Sequence, residues 1–289
     1  MDELTAIIVV KNNPSLIFKT ISSVEDLVKE IIIVDIGIDD NLSKKLLKNK
    51  KIRIIKIGKE IPYVEAIREE SKKYAKTKYV FFLDPDEEVP NKLKQTIKEK
   101  LFQYDYFKIP RKNIIFGKWI QHSRWWPDYQ IRVFNKEKVI WPKKIHQQPE
   151  VNGQGFEIPA KEEFALIHYN YQNLDEYLEK ARRYAKIEAK QMIDENLSLN
   201  FAQTIKKSLN EFISRYFAFQ GYKDGLHGFI LSFLQMFYYF LVYFYYLESN
   251  QYKTNEKVQP DYFFRQALKE TLHWKKNKSL KEKIIKNLL

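Results

Sequence analysis

With 289 residues, the chain can hold one large domain or two small ones and bury a sizeable core. It has no cysteine, which excludes disulfides, zinc–thiolate sites and thiol nucleophiles. Its formal charge of +13 suits an anionic partner such as nucleotide phosphates, nucleic acid or an anionic lipid surface, and its five histidines show no HExxH spacing.

Thr5–Val10 reads as a first strand, and because it begins so near Met1 no signal peptide is expected. Lys11-Asn12-Asn13-Pro14 follows as a loop, with Asn13 able to cap a helix and Pro14 at its first position. Ile31–Asp35 is a second buried strand ending in an aspartate. A short helix over 42–47, a third strand over 52–57 and a helix over about 63–75 come next. Tyr79–Leu83 is a fourth strand, apolar, aromatic and β-branched. Strands alternating with helices predict a parallel α/β sheet with right-handed crossovers, whose ligands bind beyond the carboxyl ends of the strands.

The fourth strand runs into Asp84-Pro85-Asp86-Glu87. Pro85 fixes its own φ and biases Asp84 towards extended geometry, so the corner is stiff. Carboxylates this close repel unless a cation neutralises them, and Mg²⁺ or Mn²⁺ takes oxygen ligands while completing its shell with substrate phosphates. The plainer reading is an acidic turn before a helix, with Glu87 and Glu88 favouring its N-terminus. No GxGxxG follows the first strand and no GxxxxGK[ST] occurs, which disfavours dinucleotide oxidoreductases and P-loop NTPases.

After a helix over 91–101, strands are predicted at 104–110 and 131–134, with the connection RKNIIFGKW between them. The stretch from His122 to Arg132 sets Trp125 and Trp126 beside Asp128, Gln130 and Arg132. Indole faces with a polar rim suit a carbohydrate or a nucleobase; packing of a loop onto the sheet is the other reading. A last strand over 164–169 carries His168. From Asn173 the chain turns helical, Asn173 with Glu176 resembling a capping box, and Leu174, Tyr177, Leu178, Ala181 and Tyr184 forming an apolar stripe. Residues 226–247 contain no Asp, Glu, Lys or Arg and are long enough to span a bilayer, but their tyrosines suit an interface better. Residues 248–260 form a polar linker. The tail from Arg265 to Lys286 carries eight Lys or Arg against Glu270 and Glu282, a basic amphipathic pattern.

Taken together, these segments resemble family 2 glycosyltransferases of the GT-A fold, and among them the bacterial subgroup that adds a sugar in lipopolysaccharide or lipooligosaccharide core synthesis. The likeness rests on the first strand with its KNN loop, IIIVD, LDPDE, RKNIIFGKWIQHSRWWPDYQIRVF and the later RYFAFQGYKDGLHGFILSFLQMFYYF. It implies a Rossmann-like, mostly parallel sheet flanked by helices, with a C-terminal helical extension. The corresponding domains are a nucleotide-sugar-binding catalytic domain over 1–170, an aromatic helical region over 171–250 and a linker with basic tail over 251–289. The resemblance further implies that Asp35 meets the base or ribose, that Asn12 and Asn13 line the nucleotide pocket, that Asp86 ligates the metal, and that Asp84 lies beside the ribose or metal. Trp125, Trp126, Gln130 and Arg132 fall in the donor-binding set. Two departures stand out: Asn12-Asn13 replaces Asn-Glu, and His146-Gln147 replaces a His-Glu pair.

Inverting transfer needs a base for the acceptor hydroxyl and positive charge for the leaving diphosphate. Asp128 is the chosen base, on the expectation that partial burial raises its pKa. Arg132 and Lys118 are candidates to meet phosphates. The expected partners are a nucleotide-sugar donor, a glycan or lipid-linked acceptor and the anionic inner face of the cell membrane, with no nucleic acid. Packing of 226–247 in a homodimer is the alternative to the membrane. A non-catalytic basic and aromatic binder of nucleic acid or anionic membrane is the rival function, disfavoured because strand-end carboxylates repel phosphates without a cation. A sugar nucleotidyltransferase would carry a Gly-rich N-terminal signature that this chain lacks.

Overall fold

The structure, a computed structural model, describes residues 3–12, 14–58, 61, 64–142, 147–254, 256 and 261–288. The chain forms two compact units, the first of Met1–Ile114 with Pro127–Asn170 and the second of Ile115–Trp126 with Tyr171–Leu289. The second break falls where composition turns helical. The short segment at Ile115–Trp126, expected within the catalytic domain, instead belongs to the second unit.

The first unit begins with β1 (Leu4–Val10), α1 (Ile17–Val24), β2 (Glu30–Asp35), α2 (Asp40–Leu46), β3 (Ile52–Lys56), α3 (Glu65–Ser71) and β4 (Tyr79–Leu83). It continues with β5 (Glu87–Glu88), α4 (Asn91–Lys100), β6 (Tyr106–Ile109) and β7 (Arg111–Ile115). The two-residue strand β8 (Lys118–Trp119) lies in the second unit. The first resumes at β9 (Gln130–Asn135), β10 (Val139–Ile140), β11 (Glu150–Val151), β12 (Gly155–Glu157) and β13 (Leu166–Tyr171). Seven strands form one sheet in the order β12-β6-β9-β4-β1-β2-β3. The β4-β1-β2-β3 block is parallel throughout, as predicted, whereas β9 runs antiparallel to both β4 and β6. β1 alternates strictly: Leu4, Ala6, Ile8 and Val10 face one core, Ile7 and Val9 the other. Helices cover both faces, which is why these strands read as unbroken apolar runs.

Two consequences position a site. Chain order goes from β1 outward to β2 and β3, then back across to β4, so a topological switch point lies between β1 and β4. Register brings Val10 opposite Asp35 and Ile8 opposite Leu83, so the loops after β1, β2 and β4 emerge at one edge. β7 is a strand where a connection was expected. Its Arg111, Lys112 and Asn113 broke the apolar pattern, yet Asn113 is fully buried.

The second unit carries α5 (Leu174–Asp194), α6 (Phe201–Ile213), α7 (Leu226–Ser249), α8 (Tyr262–Trp274) and α9 (Leu280–Leu288). Asn173 caps α5 by accepting from the Glu176 N–H at 2.9 Å. The buried stripe of α5 is Tyr177, Ala181, Ala185 and Ala189, packed with Tyr238 and Val242 of α7; Leu174 and Leu178, predicted to share it, are exposed. Alanines at every fourth position let the two helices approach closely. A π-helical turn at Ser214–Ala218 prolongs α6, and a 3₁₀ turn at Gly221–Asp224 leads into α7. The linker is shorter than predicted because α7 runs on to Ser249.

Candidate active site

The site grows from the corner after β4. The Glu87 N–H donates to the Asp84 carbonyl at 3.1 Å, and the Asp84 N–H donates to Glu87 Oε2 at 2.8 Å, so Glu87 closes the turn with its own side chain. Glu87 is wholly buried and also accepts from Arg132 Nη2 at 2.6 Å, with Arg111 Nη1 at 3.6 Å. Arg132 bridges to Asp84 with the same nitrogen, and Arg68 meets the other Asp84 oxygen at 3.3 Å. Arg111 turns its remaining face to Asp128 Oδ2, at 2.9 Å from Nε and 2.7 Å from Nη2. Three guanidiniums thus neutralise three carboxylates, which is what lets so many charges be buried together.

The pKa values follow these partners. Burial alone would raise Asp84, but Arg132, and then Arg68, hold its carboxyl far below the usual carboxylate range. Burial pushes Glu87 up against the opposing pull of Arg132. Asp128 is lowered: burial is outweighed by Arg111 and by hydrogen bonds from Asn113 and Gln130. The expectation that burial would raise Asp128 is therefore corrected, because its shelter is lined with donors rather than apolar groups.

β13 completes the constellation. It pairs antiparallel with β5, His168 opposite Glu87, and the Tyr169 N–H donates to the Asp86 carbonyl at 3.0 Å. His168 Nε2 then lies 3.7 Å from Asp86 Oδ2. On its other side, His168 Nδ1 is 2.7 Å from Asn113 Oδ1, while Asn113 Nδ2 donates to Asp128 Oδ2 at 2.9 Å. Since the amide nitrogen faces a carboxylate, its oxygen accepts from His168 Nδ1–H, which leaves Nε2 as the ring nitrogen that faces Asp86. A histidine oriented through its far nitrogen beside a carboxylate has the arrangement of a metal ligand. His168 was missed as a site residue because nothing in the sequence links position 168 to position 86; the link is strand pairing.

The donor set fits a divalent cation in part. Asp86 and His168 offer two donors, and among the described residues no group of three or more His, Cys, Asp or Glu is placed to hold a metal. Such a pair needs further oxygens, as a diphosphate supplies. Asp84, expected as a ligand, already lies between two guanidiniums that compete with any cation.

The other predicted residues separate cleanly. Asp35 is buried and its Oδ1 accepts from Gly37 N at 2.8 Å and Ile38 N at 2.9 Å, fixing the loop after β2. Asn12, at φ 60°, donates its N–H to the Gly37 carbonyl at 2.7 Å, so it and Asp35 shape the same edge. Gln130 Nε2 donates to Asp128 Oδ1 at 3.0 Å. Arg132 is 1 % exposed and committed to Asp84 and Glu87, which corrects its assignment to phosphate. Lys118 belongs to the second unit, where it donates to the Asp224 carbonyl at 2.8 Å. Trp125 and Trp126 belong there too: Trp125 packs with Ile115, Ile120 and Leu231, and Trp126 meets Trp119 edge-on with centroids 5.2 Å apart. These contacts are the loop packing that the sequence offered as its other reading, while both indoles remain half-buried rather than enclosed. Asn13 and His146 lie outside the described residues.

Residues 5–149 match the family model of Glycosyl transferase family 2, half of the chain, and the chain belongs to that family. Solved structures of TarS from S. aureus are similar at low identity. Residues 1–349 of that protein match with 12 % identity and a TM-score of 0.42, covering 94 % of this chain and 80 % of that one. The complex of the same fragment with UDP gives 15 %, 0.44, 90 % and 95 %, and the complex with UDP-GlcNAc gives 13 %, 0.49, 96 % and 93 %.

Proposed function

We propose that this family 2 glycosyltransferase moves a sugar from a nucleotide-sugar donor to a hydroxyl of a glycan or lipid-linked acceptor, with inversion, in cell-envelope polysaccharide or lipopolysaccharide synthesis at the inner face of the membrane. The observation that carries the reading is the convergence of Asn12, Asp35 and the Asp84–Glu87 corner at the switch point of a parallel sheet, where such folds bind nucleotides.

In this reading Asp35 and Asn12 orient the nucleoside, and Asp86 with His168 would hold a divalent cation, Mg²⁺ or Mn²⁺. A divalent cation there supplies positive charge for the leaving group. Asp84 takes its part through position: locked by Arg132 and Arg68, it faces the donor without moving. The acceptor oxygen attacks the anomeric carbon, the bond to the diphosphate oxygen breaks, and the hydroxyl proton passes to a carboxylate. Asp128 is that proposed base, through Oδ1, which accepts from Gln130, whereas Oδ2 serves Arg111 and Asn113.

Saturation-transfer NMR with UDP-, GDP- and dTDP-sugars tests the donor assignment. At least one donor should show strong nucleoside contacts that Asp35→Ala removes. Absence of contacts from the whole panel, or contacts indifferent to Asp35, would contradict it.

A further inference from the structure

The surface of the second unit inverts the ordinary rule for a solvated helix, whose outer ridge is polar. The outward positions of α7 through residue 247 include Leu226, Phe229, Phe233, Phe237 and Phe244, and residues 226–247 contain no charge. Two of its tyrosines turn inward instead, and Tyr239, Tyr245 and Tyr246 are half-buried. Tyr238 is buried and donates to Glu188 at 2.7 Å, and Tyr243 is buried and donates to Glu256 at 3.3 Å. Tyrosines at the water boundary, the basis of the sequence reading, are thus not what these positions present; bare phenyl rings are. Apart from Phe18, Leu47, Phe102, Ile140 and Val151, every exposed large apolar side chain among the described residues lies in this unit.

The ridge continues into a basic cleft. Phe229 stacks on Phe233 and meets Tyr216 edge-on, and Tyr216 in turn meets Tyr222. Tyr222 lines a cleft of about 320 Å³ together with Phe217, Trp274, Lys275 and Lys276. Trp274 is anchored there by its indole N–H to Asn210 Oδ1 at 3.0 Å. The segment from Arg265 to Lys286 that brings these lysines has eight Lys or Arg against two acids, one of which, Glu282, accepts from Lys275 Nζ at 2.5 Å.

We propose that the Phe229–Phe233–Phe237 ridge of α7 seats in the surface of an anionic phospholipid bilayer and that the cleft beside it takes a lipid phosphate between Lys275 and Lys276. Apolar rings beside lysines are what a headgroup boundary complements, the rings entering the acyl edge and the ammonium groups meeting phosphate. A second copy of the chain would set the same lysines against themselves. The inference deepens the glycosyltransferase reading, since it brings the enzyme to a lipid-linked acceptor, but lipid and donor binding are measured separately below.

The test is co-sedimentation of the full chain with phosphatidylcholine vesicles, with and without phosphatidylglycerol, at low and high salt. Wild type should pellet only with the anionic vesicles, less so in high salt. Phe233→Ser with Phe237→Ser, and separately Lys275→Gln with Lys276→Gln, should each weaken binding about tenfold or more. Phe102→Ser, at a still more open position but in the first unit, should change nothing. Circular dichroism and retained nucleotide-sugar contacts by NMR show that the variants fold and that the donor site stands apart. Three outcomes would overturn the proposal: equal pelleting with neutral vesicles, no effect of either pair, or a concentration-dependent dimer in sedimentation velocity that the phenylalanine pair abolishes. Loss of donor contacts with lipid binding intact would instead strike the glycosyltransferase reading alone.

Discussion

At the scale of single residues, the partner decides what a carboxylate can do. Glu87, Asp84 and Asp128 are all sheltered, but Glu87 closes a turn, Asp84 is clamped by two arginines, and Asp128 keeps one oxygen lightly used. Removing Arg132 would leave two buried carboxylates without their shared counter-charge, which is why this arginine serves the fold of the corner rather than the donor. For Asp128 the lowered pKa sets a sign. A base must be ionised to act, and a group held below its usual value of about 4 stays ionised until the pH falls past that value. The acid limb of kcat/KM should therefore lie below about pH 4, and Asp128→Asn should cut transfer on the order of 10²-fold while donor affinity persists. An acid limb near the histidine range of about 6.5, or near-normal turnover in the variant, would take the role from Asp128.

At the scale of elements, legibility followed burial. β1, β2 and β4 were readable because strands covered on both faces are uniformly apolar, and Asp35 and Asp84 were readable as their end points. β7 was not, since its inner positions are Arg111 and Asn113, chosen for Asp128 and His168 rather than for a core. The outward turn of the α7 phenylalanines was equally hidden: a run of Phe and Tyr gives no clue to which ring finds a carboxylate partner inside. Gly228 shows how closely α7 is seated. A Cβ there would stand 1.8 Å from the Gly221 carbonyl oxygen, a backbone atom that cannot rotate aside. Gly228→Ala should cost about 2 kcal/mol or more, read as a lower urea midpoint, whereas an unchanged midpoint would contradict that close approach.

At the scale of the whole chain, one formal charge of +13 covers two different uses. In the first unit, arginines are spent inside, on the carboxylates of the corner. In the second, lysines stay outside, beside exposed rings. The rival reading of a nucleic-acid binder rested on charge and aromatics alone, and does not account for Asp86 and His168 brought together by β5 and β13. The central claim is that this pair and a donor diphosphate bind a divalent cation jointly. Calorimetry with a nucleoside diphosphate from the responding donor, in Mn²⁺ and then in EDTA, tests it most directly. The account predicts affinity that falls in EDTA, with Asp86→Ala reproducing that loss in the presence of Mn²⁺. The same affinity in EDTA as in Mn²⁺ would contradict it.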